Sequence, residues 1–161
     1  MTTHQDRVER LAERLLVKGQ RLTTVESCTG GLIAAALTDR AGSSDWYEGG
    51  WVTYSNELKQ ALGVPADTLA EYGAVSEAVA RAMAESGRRQ AQVECAVAVT
   101  GVAGPGGGSV QKPVGTVWIG WAMGAVTQAR HFQFDGDRAA VREQTVAAAL
   151  DGLLTILENE I

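Results

Sequence analysis

The sequence predicts an α/β fold: a mixed, largely parallel sheet of five strands with helices on both faces. Three observations carry this. Strand-like runs at 22–25, 50–54 and 93–100 alternate with segments of helical periodicity, the pattern of strands joined by helical crossovers. Residues 93–100, VECAVAVT, are apolar at nearly every position, as expected of a strand buried on both faces. Residues 114–123 and 126–134 are two further strand-like runs separated only by Gly124-Ala125, so a tight hairpin brings in antiparallel pairing.

The elements follow in order. Over 5–18, Val8, Leu11 and Leu15 share one helical face, and Gly19 can end the helix. Leu22 to Val25 favours a strand, then Glu26-Ser27-Cys28-Thr29-Gly30-Gly31 reads as a tight turn. Leu32, Ile33, Ala36 and Leu37 recur at helical spacing beyond it, to about Arg40. Residues 41–45 are turn-rich, with Trp46 and Tyr47 as anchors onto the core. After the strand at 50–54, a short helix runs through Lys59 to Leu62 and is broken by Gly63-Val64-Pro65. A second short helix spans 66–72, and Ser76 caps a longer one over 77–90. Asp137 caps the last helix, over 138–158, whose stripe is Val146, Leu150, Leu153 and Leu157. No internal repeat interrupts this order, and one domain over 1–161 is the expectation for 161 residues.

Bulk composition excludes several classes. Apolar residues make up 45% and charged residues 20%, an ordinary soluble composition. The net charge of −5 argues against nucleic acid as a partner, since such binders present a basic face. It leaves room for a small anionic ligand, because a few local arginines suffice. Cys28 and Cys95 show neither metal spacing nor a disulfide framework, so reduced thiols and a cytoplasmic location are expected. Met1 to Gly19 is charged throughout, unlike a signal peptide. No run reaches the roughly 20 apolar residues of a membrane span, so no membrane partner is expected. No His/Cys/Asp/Glu cluster has ligand spacing, so no metal is expected.

The chemistry concentrates at the carboxyl ends of the strands, where ligands sit in such sheets. Those ends deliver Ser27, then Tyr54-Ser55-Asn56, then Thr100-Gly101. A helix starting after Gly31 would aim unpaired N–H groups at an anion or oxyanion. The glycines would allow close approach to that backbone. Ser27 beside such donors suits a nucleophile or a phosphate ligand; alternatively Ser27 or Thr29 merely caps the helix. Neither histidine is well placed to serve as a base: His4 lies near the N-terminus and His131 inside the fifth strand. A lysine can take that role if burial lowers its pKa. Lys59 lies five residues beyond Tyr54, within reach of the sheet edge, although a solvated helix lysine remains an alternative. Cys28 at a helix start could be a nucleophile, yet without an imidazole partner a packed thiol is the simpler reading. The loop 101–113, GVAGPGGGSVQKP, is long for a compact fold, which points to function. It lacks the ending of a P-loop, but its amides could line an anion site. Arg138 and Arg142 share one face at a helix start, where the dipole disfavours cations. A bound anion would explain them, and so would an ion pair.

The chain resembles the CinA C-terminal domain family, whose enzymatic members are nicotinamide-nucleotide amidohydrolases. The resemblance rests on TVESCTGG at 24–31, AGSSDWYEGGWVTYSNELK at 41–59, GAVSEAV at 73–79, TGVAGPGGGSVQKPVGTVWIG at 100–120 and GDRAAVREQ at 136–144. It implies a three-layer α/β/α sandwich whose five-stranded sheet has one antiparallel strand. The length matches the stand-alone form, without the molybdopterin-binding-like domain of longer members. The implied activity is deamidation of nicotinamide mononucleotide to nicotinate mononucleotide and ammonia, within pyridine-nucleotide salvage. By resemblance, Ser27 is the nucleophile, Lys59 the base and Tyr54 the tyrosine beside them. Backbone around Cys28, Thr29, Gly30 and Gly31 would hold the oxyanion. Asn56, Thr100, Gly101, Gly104 and Gly107 would line the site, and Arg138 and Arg142 would hold the nucleotide phosphate. No metal or organic cofactor is implied; the partner is the small nucleotide, and a homo-oligomer is compatible. The alternative is a non-catalytic nucleotide-binding module of the same family, linked to competence or a DNA-damage response.

Overall fold

The computed structural model describes residues 4–159. Its helices are α1 (Gln5–Lys18), α2 (Leu32–Thr38), α3 (Asn56–Leu62), α4 (Ala66–Tyr72), α5 (Glu77–Ala91) and α6 (Arg138–Asn159). Its strands are β1 (Leu22–Glu26), β2 (Tyr47–Val52), β3 (Cys95–Gly101), β4 (Thr116–Met123) and β5 (Val126–Gln133). They form one sheet in the order β2-β1-β3-β4-β5. β1 pairs parallel with both β2 and β3, while β4 is antiparallel to β3 and to β5. Only β4 therefore runs against the rest. From β1 the chain crosses to β2 on one side and later to β3 on the other, so β1 ends at a switch point of the sheet.

Two helical layers cover the sheet. On one face Leu11 and Leu15 of α1 and Leu150, Leu153 and Leu157 of α6 pack on Val97, Ile119 and Trp121. On the other, Val79 and Met83 of α5 pack on Val25, Ala96 and Ala98 with Leu69 of α4. Single glycines set the closeness of both layers. A Cβ on Gly120 would lie 2.6 Å from the Ala80 carbonyl of α5, and one on Gly152 of α6 would lie 2.1 Å from the Trp121 ring. Both distances are below contact, so a helix lies against the sheet only where no side chain intervenes.

The local signals in the sequence fix the helix ends. Gly19 adopts φ 65° and its N–H closes α1. The Ser76 hydroxyl accepts from Val79 N at 3.2 Å, and the Asp137 carboxylate accepts from Ala140 N at 2.9 Å. Trp46 is wholly buried, and the Tyr47 hydroxyl pairs with Thr24 Oγ1 at 2.7 Å.

Some boundaries differ from expectation. β2 begins at Tyr47 and ends at Val52, whereas the β-favouring run suggested 50–54. The reason is Gly50: Thr24 Oγ1 would lie 2.2 Å from a Cβ there, so β2 needs glycine where glycine reads as loop. Thr53 N still pairs with Glu26 O, and beyond it the carbonyls of Thr53 and Tyr54 turn away from the ladder toward Lys59. β4 begins at Thr116, because Gly115 at φ 94° closes the 102–115 loop through its N–H to Val102 O. α2 stops at Thr38, two residues short of the expected end.

Gly120→Ala should overpack the α5–sheet contact at a backbone oxygen that cannot retreat alone. The expected loss is about 2 kcal/mol, a Tm drop of roughly 4–8 °C for a chain this size. Thermal denaturation followed by circular dichroism measures it; an unchanged Tm would mean α5 rides freely on the sheet.

Candidate functional site

β1 is held to its last residue on both sides. Ser27 N donates to Val99 O at 3.1 Å, and Thr53 N donates to Glu26 O at 2.8 Å. Ser27 is thus the first residue to leave the ladder, at a fixed position. On the β2 side Ser55 caps α3, accepting from Leu58 N at 3.1 Å. Lys59 follows one turn later and its side chain folds back beneath the end of β2. Its Nζ lies 2.7 Å from Thr53 O, 3.1 Å from Tyr54 O and 3.1 Å from Ser27 Oγ. Lys59 is 1% exposed and Ser27 7%. Burial disfavours the ammonium and pushes the Lys59 pKa below its ordinary value, with the Cys28 side chain acting in the opposite direction. No carboxylate neutralises it: its three partners are two carbonyls and a hydroxyl. All three accept from Nζ, and the Ser27 hydroxyl can equally donate to the lone pair of a neutral amine.

The turn after Ser27 is built differently from the expected anion-binding helix start. Glu26, 1% exposed, reaches over the turn with its carboxylate. Oε1 accepts from Thr29 Oγ1 at 2.5 Å, Gly31 N at 3.1 Å and Ile33 N at 3.0 Å, while Oε2 accepts from Ala34 N at 3.0 Å. Gly30 N donates to Ser27 O at 3.0 Å. The amides of Gly30 and Gly31 are therefore engaged within the turn, which corrects the expectation that they face a ligand. Neither Cys28 N nor Thr29 N has a main-chain acceptor among the described residues. Neither Ser27 nor Thr29 caps α2; Glu26 does. Cys28 is buried, and desolvation lifts its thiol pKa to about 11, so it rests as a protonated thiol.

The two arginines part company. Arg142 Nε and Nη2 donate to Cys28 O and Thr29 O at 3.1 and 3.2 Å, clamping the turn from the side opposite Glu26. Arg138, exposed, donates to Gly104 O at 2.8 Å and to the Tyr54 hydroxyl at 3.3 Å. Neither pairs with a carboxylate among the described residues. Both line a cleft of about 680 Å³ whose other walls are Ala103, Pro105 and Val114 of the glycine-rich loop and Gly136 and Asp137 before α6. The loop is pinned at Gly104 O by Arg138, and again where Lys112 Nζ donates to Tyr72 O at 2.7 Å.

The remaining candidates divide. Tyr54 meets Lys59 through its main-chain oxygen, while its phenol bonds Arg138 rather than the amine. Thr100 is buried and donates to Ala74 O at 2.9 Å, tying β3 to the segment before α5. Gly101 allows close packing on β4, with Val117 Cγ2 at 2.7 Å from a Cβ placed there. Asn56 is exposed at the start of α3, and Gly107 is exposed in the loop at φ 86°. His131 packs against Trp118 with tilted rings 5.2 Å apart, and His4 pairs with Glu143; neither joins Ser27. Glu26 is the residue that sequence reasoning left without a role. A signal was present: an acid closing a strand that is otherwise buried must find donors, and α2 lacks an Asp, Ser or Thr at its cap position.

An open α/β sheet with a serine and a buried lysine at the carboxyl edge of its central strands defines a class of candidate hydrolase. The profile of the CinA C-terminal domain matches residues 4–157, and the chain belongs to that family. It is 53% identical over 148 residues to the nicotinamide-nucleotide amidohydrolase PncC of Pseudomonas putida, covering 91% of this chain and 92% of that one. It is 50% identical over 149 residues to PncC of Escherichia coli K12, covering 90% and 89%. The crystal structure of competence damage-inducible protein A from Klebsiella pneumoniae superposes with a TM-score of 0.95 at 39% identity, covering 99% and 100%. Among the described residues no helix is long and apolar enough to cross a membrane.

Lys59→Met keeps the length of the side chain and removes the amine. Between the depressed pKa of Lys59 and its ordinary 10.5, the unfolded wild type binds more protons than the folded one. Wild-type stability relative to the variant should therefore rise with pH across that window, and stay level below it. Tm measured for both proteins from neutral pH to about pH 10 checks this. A gap independent of pH would mean the amine is not desolvated.

Proposed function

We propose that the protein is an amidohydrolase that converts nicotinamide mononucleotide and water to nicotinate mononucleotide and ammonia through Ser27 and Lys59. The observation that carries this reading is the hydrogen-bond arithmetic at Lys59 Nζ. In the neutral amine, with both N–H groups on Thr53 O and Tyr54 O, the lone pair is left for the Ser27 hydroxyl, whose Oγ lies 3.1 Å from Nζ. The serine is thereby activated by a general base without a histidine. The names of the P. putida and E. coli relatives support the substrate.

In this scheme Lys59 takes the Ser27 proton as Oγ attacks the carboxamide carbon. The negative charge on the carbonyl oxygen is met by the N–H groups of Cys28 and Thr29, which have no main-chain acceptor among the described residues. Such a donor is typically worth 10²–10³ in rate. The Lys59 ammonium, held by two carbonyls, returns its proton to the departing nitrogen, and ammonia leaves. Water then attacks the acyl ester; Lys59 takes its proton and hands it to Ser27 Oγ as nicotinate mononucleotide is released. The phosphate is assigned to Arg138, whose exposed guanidinium stands at the cleft with the Tyr54 hydroxyl. Arg142, half-buried, is assigned to the turn, because the two carbonyls it holds are those of Cys28 and Thr29.

Ser27→Ala should abolish ammonia release, and Lys59→Arg, which cannot deprotonate, should slow turnover at least 10²-fold while binding the mononucleotide. Wild-type turnover should rise with pH through the lowered Lys59 pKa. Near-normal turnover in Lys59→Arg would remove the lysine from the mechanism; binding without ammonia release by the wild type would leave a nucleotide-binding module.

The arginines separate by substrate. A charge-assisted contact is worth roughly 1.5–3 kcal/mol, so Arg138→Ala should weaken use of the mononucleotide at least tenfold and barely alter nicotinamide riboside. Arg142→Ala should reduce both alike. The reverse pattern in kcat/KM would exchange the two assignments.

A further inference from the structure

Glu26 is a buried acid that the scheme above does not use. Its two oxygens collect four donors, from Thr29 Oγ1, Gly31 N, Ile33 N and Ala34 N, and its own main chain is locked to β2 and β3 one residue before Ser27. Those donors include the N–H groups that a helix start would otherwise turn toward a ligand. From the other side Arg142 holds the carbonyls of Cys28 and Thr29. The peptide planes of residues 28 and 29 are thus fixed between an acid that takes the donors beyond them and a base that takes their acceptors. A carboxylate suits this place because both of its oxygens only accept. Glutamine would set an NH2 against one of the N–H groups, and aspartate is one methylene too short to span from β1 to Ala34.

We propose that Glu26 is the positioning residue of the nucleophile turn. By occupying the start of α2 it directs the developing oxyanion to the amides of Cys28 and Thr29, in register with Ser27. This rests on the amidohydrolase reading. It assigns Glu26 no contact with substrate and no proton transfer.

The test compares wild type, Glu26→Gln and Thr29→Val by steady-state ammonia release from nicotinamide mononucleotide. Binding of nicotinate mononucleotide is measured by calorimetry, at a temperature where near-ultraviolet circular dichroism shows each protein folded. An inactive wild type defeats the amidohydrolase reading itself, and the positioning role with it. Given an active wild type, Glu26→Gln should lose about 10²-fold or more in kcat, the scale of a lost oxyanion donor. KM and product affinity should stay within about threefold, because the cleft is untouched and only transition-state binding is impaired. The pH midpoint of kcat should not move, since Lys59 keeps its three partners. Thr29→Val, which deletes one donor to Glu26 without disturbing charge, should lose about tenfold in kcat with KM kept, and decides the matter if Glu26→Gln does not fold. A folded Glu26→Gln with near-wild-type kcat overturns the proposal, as does a loss confined to KM or a shifted pH midpoint. So does an unchanged kcat in Thr29→Val.

Discussion

Everything at the carboxyl edge of the sheet depends on burying one amine without a counter-ion. Lys59 Nζ has two carbonyls and one hydroxyl around it. A charged group in that place would lose hydration that these neutral dipoles only partly replace. The neutral form loses far less, so burial lowers the Lys59 pKa and shifts the amine toward the form that can accept a proton. That constraint explains why β2 ends at Val52: the peptides of Thr53 and Tyr54 must leave the ladder to aim their oxygens at the amine. It also explains why α3 starts where it does, because Ser55 caps the helix one turn before the lysine.

The same edge shows how a serine can be held at the end of a strand without a helix dipole at work. α2 has only seven residues, and its leading N–H groups are taken by Glu26. What fixes Ser27 is the sheet on both sides of β1 and the clamp of Glu26 and Arg142 on the turn beyond it. Arg142 comes from α6 and the partners of β1 from β2 and β3, so the turn is set by elements more than a hundred residues apart in sequence. Tertiary packing, including the close approaches at Gly120 and Gly152, is what brings them into register.

Much of the fold was legible because its signals are local. The apolar run at 93–100, the Gly124-Ala125 hairpin, and the caps at Gly19, Ser76 and Asp137 act over a few residues, and α1, α5 and the hairpin lie where periodicity placed them. β2 was misplaced because Gly50 is there for a neighbour, Thr24, that only the folded chain supplies. Ser27 and Lys59 could be singled out by their place after strands. The distinct contacts of Arg138 and Arg142 could not, because four-residue spacing puts them on one helix face and says nothing about which carbonyls or hydroxyls each meets. Glu26 escaped for a similar reason: it looks like the end of a strand, and its donors come from a helix that starts six residues later.

Tyr54 touches both halves of the site with different parts of itself, its carbonyl on the amine and its phenol on Arg138. Thr53 likewise offers only its carbonyl. Apart from Ser27 Oγ, the atoms that hold the amine are therefore main-chain atoms, present whatever residue occupies positions 53 and 54. A change of side chain at 53 or 54 leaves the two carbonyls on the amine, while a change of the phenol at 54 alters what stands beside Arg138. The seat of the lysine lies in the backbone and the surroundings of the arginine in a side chain, which lets one change over evolutionary time while the other persists.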